Sequence, residues 1–320
     1  MDAAIDNLIS PAVLFFALGA FAATVKSADI ALPEAVARTL GLYLMAAIGF
    51  KGGAQLNQAG IGWEAVVALA AGLLLGIAIP FIAFFLLRRA TRVGVINAAA
   101  IAAHYGSVSL VTFGAAIALF EEIGEPTSGF MPAVLAVMEA PAIAVGVMLA
   151  RRSGSRGSGS AHYLRDALTT GSVLVLLGAT AIGLALGAQG LDDLDGFFVT
   201  PFTGVLALFL LDMGYIAFTR LGALREAGLS LIAFGIYMPL IGAALGLSLG
   251  AALGLSTGDT ALLATLAASA SYIAAPAAMR LAVPEADPGL SLPIALGVTF
   301  PFNLVVGIPL YLAIAGLLTG

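Results

Sequence analysis

The chain has 320 residues, 61% of them hydrophobic and only 10% charged, with a formal net charge of −5. Soluble domains carry about a quarter charged residues, so this balance excludes an ordinary soluble protein; the slight acidity and lack of a basic patch exclude a nucleic-acid binder. The absence of cysteine excludes disulfides, thiolate chemistry and cysteine metal sites.

Apolar runs long enough to cross a hydrocarbon core of about 30 Å predict ten transmembrane helices. In chain order they fall at 8–25, 34–50, 62–88, 94–120, 130–150, 167–188, 197–219, 227–253, 258–283 and 290–316. The stretch before the first, with Asp2 and Asp6, lacks the basic n-region of a signal peptide, so that run is expected to be retained as a helix. Between the fifth and sixth runs lies Arg151-Arg152-Ser153-Gly154-Ser155-Arg156-Gly157-Ser158-Gly159-Ser160. This composition predicts a flexible linker over 151–165, dividing a first half (1–150) from a second (166–320).

The basic residues set the topology. With the linker cytoplasmic, Lys26, Arg38, Arg88, Arg89, Arg92, Arg151, Arg152, Arg156, Arg165, Arg220, Arg225 and Arg280 all lie inside. Lys51 alone lies outside, where it is expected to snorkel at the interface. The acidic stretches, Glu121-Glu122 with Glu125 and Asp192-Asp193 with Asp195, face out. The positive-inside rule therefore predicts a multi-pass protein of the cell (inner) membrane with both termini extracytoplasmic.

Five spans per half is an odd number, so two similar halves must be inverted relative to one another. Ile48-Gly49-Phe50 matches Met213-Gly214-Tyr215, and Ala140-Pro141-Ala142 matches Phe300-Pro301-Phe302. Gly49 precedes Ser107 by 58 positions and Gly214 precedes Ser271 by 57. Inverted repeats are a recurring plan of secondary transporters, with the site at the midplane between them.

Spans four and nine each carry a polar patch at mid-membrane: His104-Tyr105-Gly106-Ser107-Val108-Ser109-Leu110-Val111-Thr112, and Ser269-Ala270-Ser271-Tyr272 ahead of Pro276. Gly106 leaves the helical region cheaply and Pro276 suits the first turn of a new helix, so both spans are expected to be broken. The half-helix beginning after each break offers unpaired N–H groups and partial positive charge to a small anion. The half-helix ending before it offers free carbonyls to a cation such as Na⁺. Packing by small residues is the alternative for either segment alone; their matched positions favour a site.

Ionisable and amide side chains within the spans are further candidates. Glu139 and Asn303 each neighbour a proline that frees carbonyls, and Asp212 precedes Met213-Gly214. With Thr112 and Tyr272 beside the breaks, these form the candidate Na⁺ set. Asn97 and His104 have satisfied packing roles as their favoured reading, although a histidine there could carry a proton. The only other histidine, His162, falls in the linker, so no histidine metal site is expected.

These residues resemble the sodium-dependent bicarbonate permease family. The likeness is carried by Ile48-Gly49-Phe50-Lys51-Gly52-Gly53, Gly106-Ser107-Val108-Ser109 with Thr112, Met138-Glu139-Ala140-Pro141-Ala142, Ala267-Ala268-Ser269-Ala270-Ser271, and Arg280 with Val283-Pro284-Glu285-Ala286-Asp287-Pro288. The resemblance implies a ten-helix elevator with scaffold and core domains, a homotrimer, and a PII-like regulatory partner. It places the anion at Gly106, Ser107, Val108 and Ser109, facing Ser269, Ala270 and Ser271, with Na⁺ as coupling ion and no other cofactor. The chain departs from the family pattern at Leu110-Val111, Tyr272 and Ala274-Ala275.

The fold expected is thus an all-α integral membrane protein of two inverted five-helix repeats with broken crossing helices. The function expected is Na⁺-coupled symport of a small anion, bicarbonate first, by an elevator mechanism. A cation/proton antiporter or organic-anion carrier on the same fold is the alternative. A channel would need a continuous polar lining, and an intramembrane enzyme would need a motif such as His-Glu-x-x-His, which is missing.

Overall fold

In hydrocarbon a chain must pair its own backbone N–H and C=O groups, and a helix does so within one segment. The computed structural model describes residues 10–26, 30–153, 155, 171–220 and 228–320. These form helices α1 (Pro11–Thr24), α2 (Glu34–Ala59), α3 (Trp63–Ala90), α4 (Val95–Gly106), α5 (Leu110–Glu122), α6 (Met131–Arg152) and α7 (Gly171–Asp193). They continue with α8 (Asp195–Phe198), α9 (Phe202–Thr219), α10 (Leu229–Ala252), α11 (Thr257–Ala268) and α12 (Ala274–Ala282), and end with α13 (Pro288–Thr319). No strand occurs among the described residues.

Seven helical stretches among the described residues are long and apolar enough to cross a membrane. They are α3, α4 through α5, α6, α7, α8 through α9, α10 and α13. The first helix, α1, is apolar but only 14 residues long, about 21 Å at helical rise. Exposed apolar side chains such as Phe21, Leu74, Phe85 and Leu177 cover the outer faces. In water such faces would be a liability; in lipid they are the solvated surface.

Local chemistry sets the helix ends. Ser10 caps α1 by accepting from Val13 N–H, and Pro11 occupies the first turn, where its missing donor costs nothing. The expected span 34–50 continues as helix to Ala59, with Gly52 and Gly53 buried within it. It stops at Gly60, whose φ of 76° is left-handed. In α13, π turns at Ala295–Thr299 and Asn303–Gly307 flank Pro301. Proline lacks a donor, and the ladder shifts register around it. Its expected counterpart, Pro141, lies inside an unbroken α6. The linker prediction falls mostly on residues outside the described set (154 and 156–170), as do Arg156, His162, Arg165 and Arg225.

The helices pack as two groups. One contains α1, α2, α7 and α9, with α1 against α9 and α2 against α7. The other contains α3 to α6 and α10 to α13. Within the first group, backbone meets backbone. A Cβ on Gly19 would lie 1.9 Å from the Leu211 carbonyl oxygen, and one on Gly214 would lie 2.0 Å from that of Phe16. The α2–α7 pair repeats this, with Gly53 2.0 Å from the Thr180 oxygen and Gly183 2.1 Å from that of Phe50. Only hydrogen fits, so these glycines set helix spacing, the role small residues play in lipid.

Lys51 does not simply snorkel. Its Nζ lies 2.6 Å from Glu121 Oε1, joining α2 of one group to α5 of the other. Both side chains are about one-third exposed, so the pair is worth no more than about 1 kcal/mol.

Substituting leucine at Gly53 or Gly214 is expected to cost about 1–3 kcal/mol through overpacking. Thermal unfolding in detergent should show a lowered midpoint for both. Gly204→Leu, at a position with nothing within 4 Å, should unfold like the parent.

Candidate functional site

The backbone leaves the helix twice within the second group. One interruption runs from Ser107 to Ser109 between α4 and α5, the other from Ser269 to Ile273 between α11 and α12. Ser107, Ser109 and Ser269 take extended conformations, with ψ of 128°, 112° and 163°. Gly106 is the last helical residue rather than the point of departure. Its role is steric: a Cβ there would lie 2.2 Å from Pro80 and 2.9 Å from Ala142. Pro276 sits in the first turn of α12, where it loses no hydrogen bond.

The two breaks cross and pair. Ser109 N–H donates to Ser269 Oγ at 2.9 Å, and that hydroxyl donates to the Leu266 carbonyl at 2.9 Å. Ser271 N–H is shared between the carbonyls of His104 (2.8 Å) and Ser107 (2.9 Å). Each new half-helix begins under a serine cap. Ser109 Oγ accepts from Thr112 N–H at 3.2 Å, and Ser271 Oγ accepts from Ala275 N–H at 3.2 Å. The starts of α5 and α12 thus both lie at the crossing, where their dipoles favour negative charge.

The carbonyl ends of the first half-helices are less available than the sequence predicts. Ser107 N–H takes the Ala103 oxygen, Ser271 N–H that of His104, and Asn303 Nδ2 that of Ala268, the last at 2.9 Å. Asn303 Oδ1 in turn accepts from the Tyr311 hydroxyl at 2.8 Å. Asn303 therefore stitches α13 to the end of α11.

Among the described residues, the buried hydroxyls without a hydrogen-bond partner include Ser107 Oγ and Thr112 Oγ1, along with those of Tyr272 and Tyr237. Unpaired buried polar groups cost about 1–3 kcal/mol each, and Ser107 and Thr112 flank the break between α4 and α5. A cavity of about 20 Å³ adjoins the crossing, lined by Val108, Ser109, Glu139, Ser271 and Tyr272 of the second group. Met45 of α2 and Leu176 of α7 close it from the first group. It therefore lies on the seam between the two groups.

Most of the predicted site residues converge. Val108, Ser109, Ser271, Tyr272 and Glu139 line the cavity; Ser107, Ser269 and Ala270 are buried in the break segments; Gly106 is buried at the end of α4, and Thr112 lies in the first turn of α5. Two candidates stand elsewhere. Asp212 on α9 accepts from Leu32 N–H at 3.0 Å, and its other carboxylate oxygen is buried without a partner. Asn303 is committed as described.

Sequence reasoning passed over Asp259, which is buried and accepts from Ser128 N–H (2.7 Å) and Ser128 Oγ (2.6 Å). The signal was present as Ser256-Thr257-Gly258-Asp259, a capping pattern at the start of α11, with Asp259 N–H on Ser256 Oγ. Among the described residues, no group of three His, Cys, Asp or Glu side chains is placed to hold a metal ion together.

The family model described as Na⁺-dependent bicarbonate transporter superfamily matches residues 11–316. No curated protein matches the chain at a significant level.

Removing a buried hydroxyl that has no partner breaks no bond and relieves its desolvation cost, so Ser107→Ala should be at least as stable as the parent. Ser269→Ala strands Ser109 N–H and should cost about 1–3 kcal/mol. Thermal melts of both variants in one detergent check the contrast.

Proposed function

The chain belongs to the Na⁺-dependent bicarbonate transporter superfamily, and from that membership we propose that it is a Na⁺-coupled bicarbonate symporter working by alternating access. The observation that carries this reading is the crossing of two helix breaks with buried hydroxyls left unpaired beside them. Bicarbonate offers oxygen acceptors and one O–H donor. It would take hydrogen bonds from Ser107, Ser109 and Ser271 and from the first N–H groups of α5 and α12. Glu139 at the cavity, with Thr112 and Tyr272 nearby, would hold Na⁺ through oxygen. Asp212 and Asn303 are structural in this reading.

The proposed architecture is ten spans in two inverted halves, 1–150 and 166–320. In this scheme α4–α5, α8–α9 and α11–α12 each cross once, and α1 and α2 are spans despite their shorter or more polar sequences. Three correspondences support it. The breaks recur in α4–α5 and α11–α12; Pro80 and Pro239 sit inside α3 and α10; and the glycine contacts of α1 with α9 mirror those of α7 with α2. The basic residues would then put both termini outside the inner membrane.

For mechanism, the group of α1, α2, α7 and α9 would be the scaffold and the other group the moving core. A cavity of about 20 Å³ holds about one water, less than a four-heavy-atom anion requires. Substrate entry therefore requires Met45 and Leu176 to separate from the breaks. An elevator movement along this seam would expose the site first to one side and then to the other.

Proteoliposomes loaded without Na⁺ are expected to take up radiolabelled bicarbonate when Na⁺ is added outside, and not when K⁺ replaces it at constant pH. Ser107→Ala and Ser271→Ala should lower uptake about tenfold at limiting bicarbonate, the equivalent of one lost hydrogen bond. Uptake that persists in K⁺ would point to proton coupling, and full uptake in both variants would remove the site assignment.

A further inference from the structure

One side chain joins the two breaks through its ring. His104 lies in the last turn of α4, 1% exposed, with Nδ1 2.7 Å from the Ser271 carbonyl oxygen. A carbonyl can only accept, so Nδ1 carries the proton; in the neutral ring Nε2 is then the acceptor. The His104 carbonyl also receives Ser271 N–H at 2.8 Å. One residue therefore grips both sides of Ser271, its amide through backbone and its carbonyl through the ring.

Ser271 has little freedom left. Its hydroxyl caps α12 by accepting from Ala275 N–H, so the orientation of Ser271 sets where the first amides of α12 point. His104 also lines a second cavity of about 290 Å³, shared with Pro276, Arg280, Asp287 and Ser291. Ser271 lines the small cavity at the crossing and His104 the large one. Their hydrogen bond is thus part of the partition between the two.

We propose that His104 is a positioning residue of the anion site: its Nδ1–H holds the Ser271 peptide so that the Ser271 hydroxyl and the start of α12 face the Ser107 break. This role rests on the transport reading above and adds to it. It differs from proton carriage, because the ring acts by a bond it keeps rather than by a proton it passes. Filling space is not sufficient for it, since an apolar side chain of equal bulk would leave the Ser271 carbonyl without this donor.

Three variants separate the possibilities. Asparagine places an N–H near the position of Nδ1, glutamine carries it one bond further, and leucine fills the space without a donor. His104→Leu and His104→Gln should raise the KM for bicarbonate about tenfold with a smaller change in maximal rate, while His104→Asn should return it to within about threefold of the parent. An unchanged KM in His104→Leu, or equal defects in the asparagine and leucine variants, would overturn the proposal.

A second readout needs no substrate. The chain has two histidines, so ¹⁵N-histidine spectra of the purified His162→Ala protein report His104 alone. The Nδ1–H tautomer is expected, and an Nε2–H tautomer would overturn the role of His104 even with normal uptake. A parent protein that moves no bicarbonate would instead overturn the transport reading, and the anion role of His104 with it.

Discussion

Interrupting a helix in hydrocarbon strands amides and carbonyls that have no water to turn to, at several kcal/mol each. The interruptions at Ser107–Ser109 and Ser269–Ile273 persist because each repairs the other. Ser109 N–H finds Ser269 Oγ, Ser271 N–H finds the carbonyls of His104 and Ser107, and the His104 ring returns a bond to the Ser271 carbonyl. Neither break could stand alone. Their mutual satisfaction also explains why small side chains surround them, since Gly106 must pass within van der Waals reach of Pro80 and Ala142.

The same logic extends outward from the crossing. Asn303 reaches back from α13 to the buried carbonyl end of α11, and Tyr311 completes its amide. Tyr105, one residue before Gly106, meets Thr299 Oγ1 at 2.6 Å, and that hydroxyl donates to the Gly235 carbonyl at 2.8 Å. Because the threonine proton goes to Gly235, the tyrosine must be the donor. These links tie α4, α10, α11 and α13 into one unit around the breaks. Ser107 Oγ and Thr112 Oγ1 are hydroxyls that this network leaves unsatisfied.

A different constraint governs the other group. Lipid offers no hydrophobic drive for helix association, so α1 with α9 and α2 with α7 rely on contact area and close approach. Glycines facing carbonyls from both sides lock each pair. The seam between the groups is of another kind: Met45 and Leu176 face Ser109 and Ser271 across a small cavity, and the partly exposed Lys51–Glu121 pair spans it by charge. In the proposed mechanism this contrast separates what stays fixed from what moves.

Hydrophobic run length, proline and glycine placement and the serine patches were all legible in the sequence, because each acts within a few residues of its own position. They determined an all-helical membrane protein and the two places where helices break. Pairing was not legible. Glu139 and Asn303 look equivalent along the chain, yet Glu139 reaches the cavity and Asn303 is used up on Ala268 and Tyr311. Asp212 looks like an intramembrane ligand, yet it receives Leu32 N–H. His104 reads as a lone packing histidine until Ser271, 167 positions away, is brought against its ring. Local chemistry determines where a chain must stop being helical. Which stranded group meets which donor depends on long-range packing, and only the tertiary structure decided it.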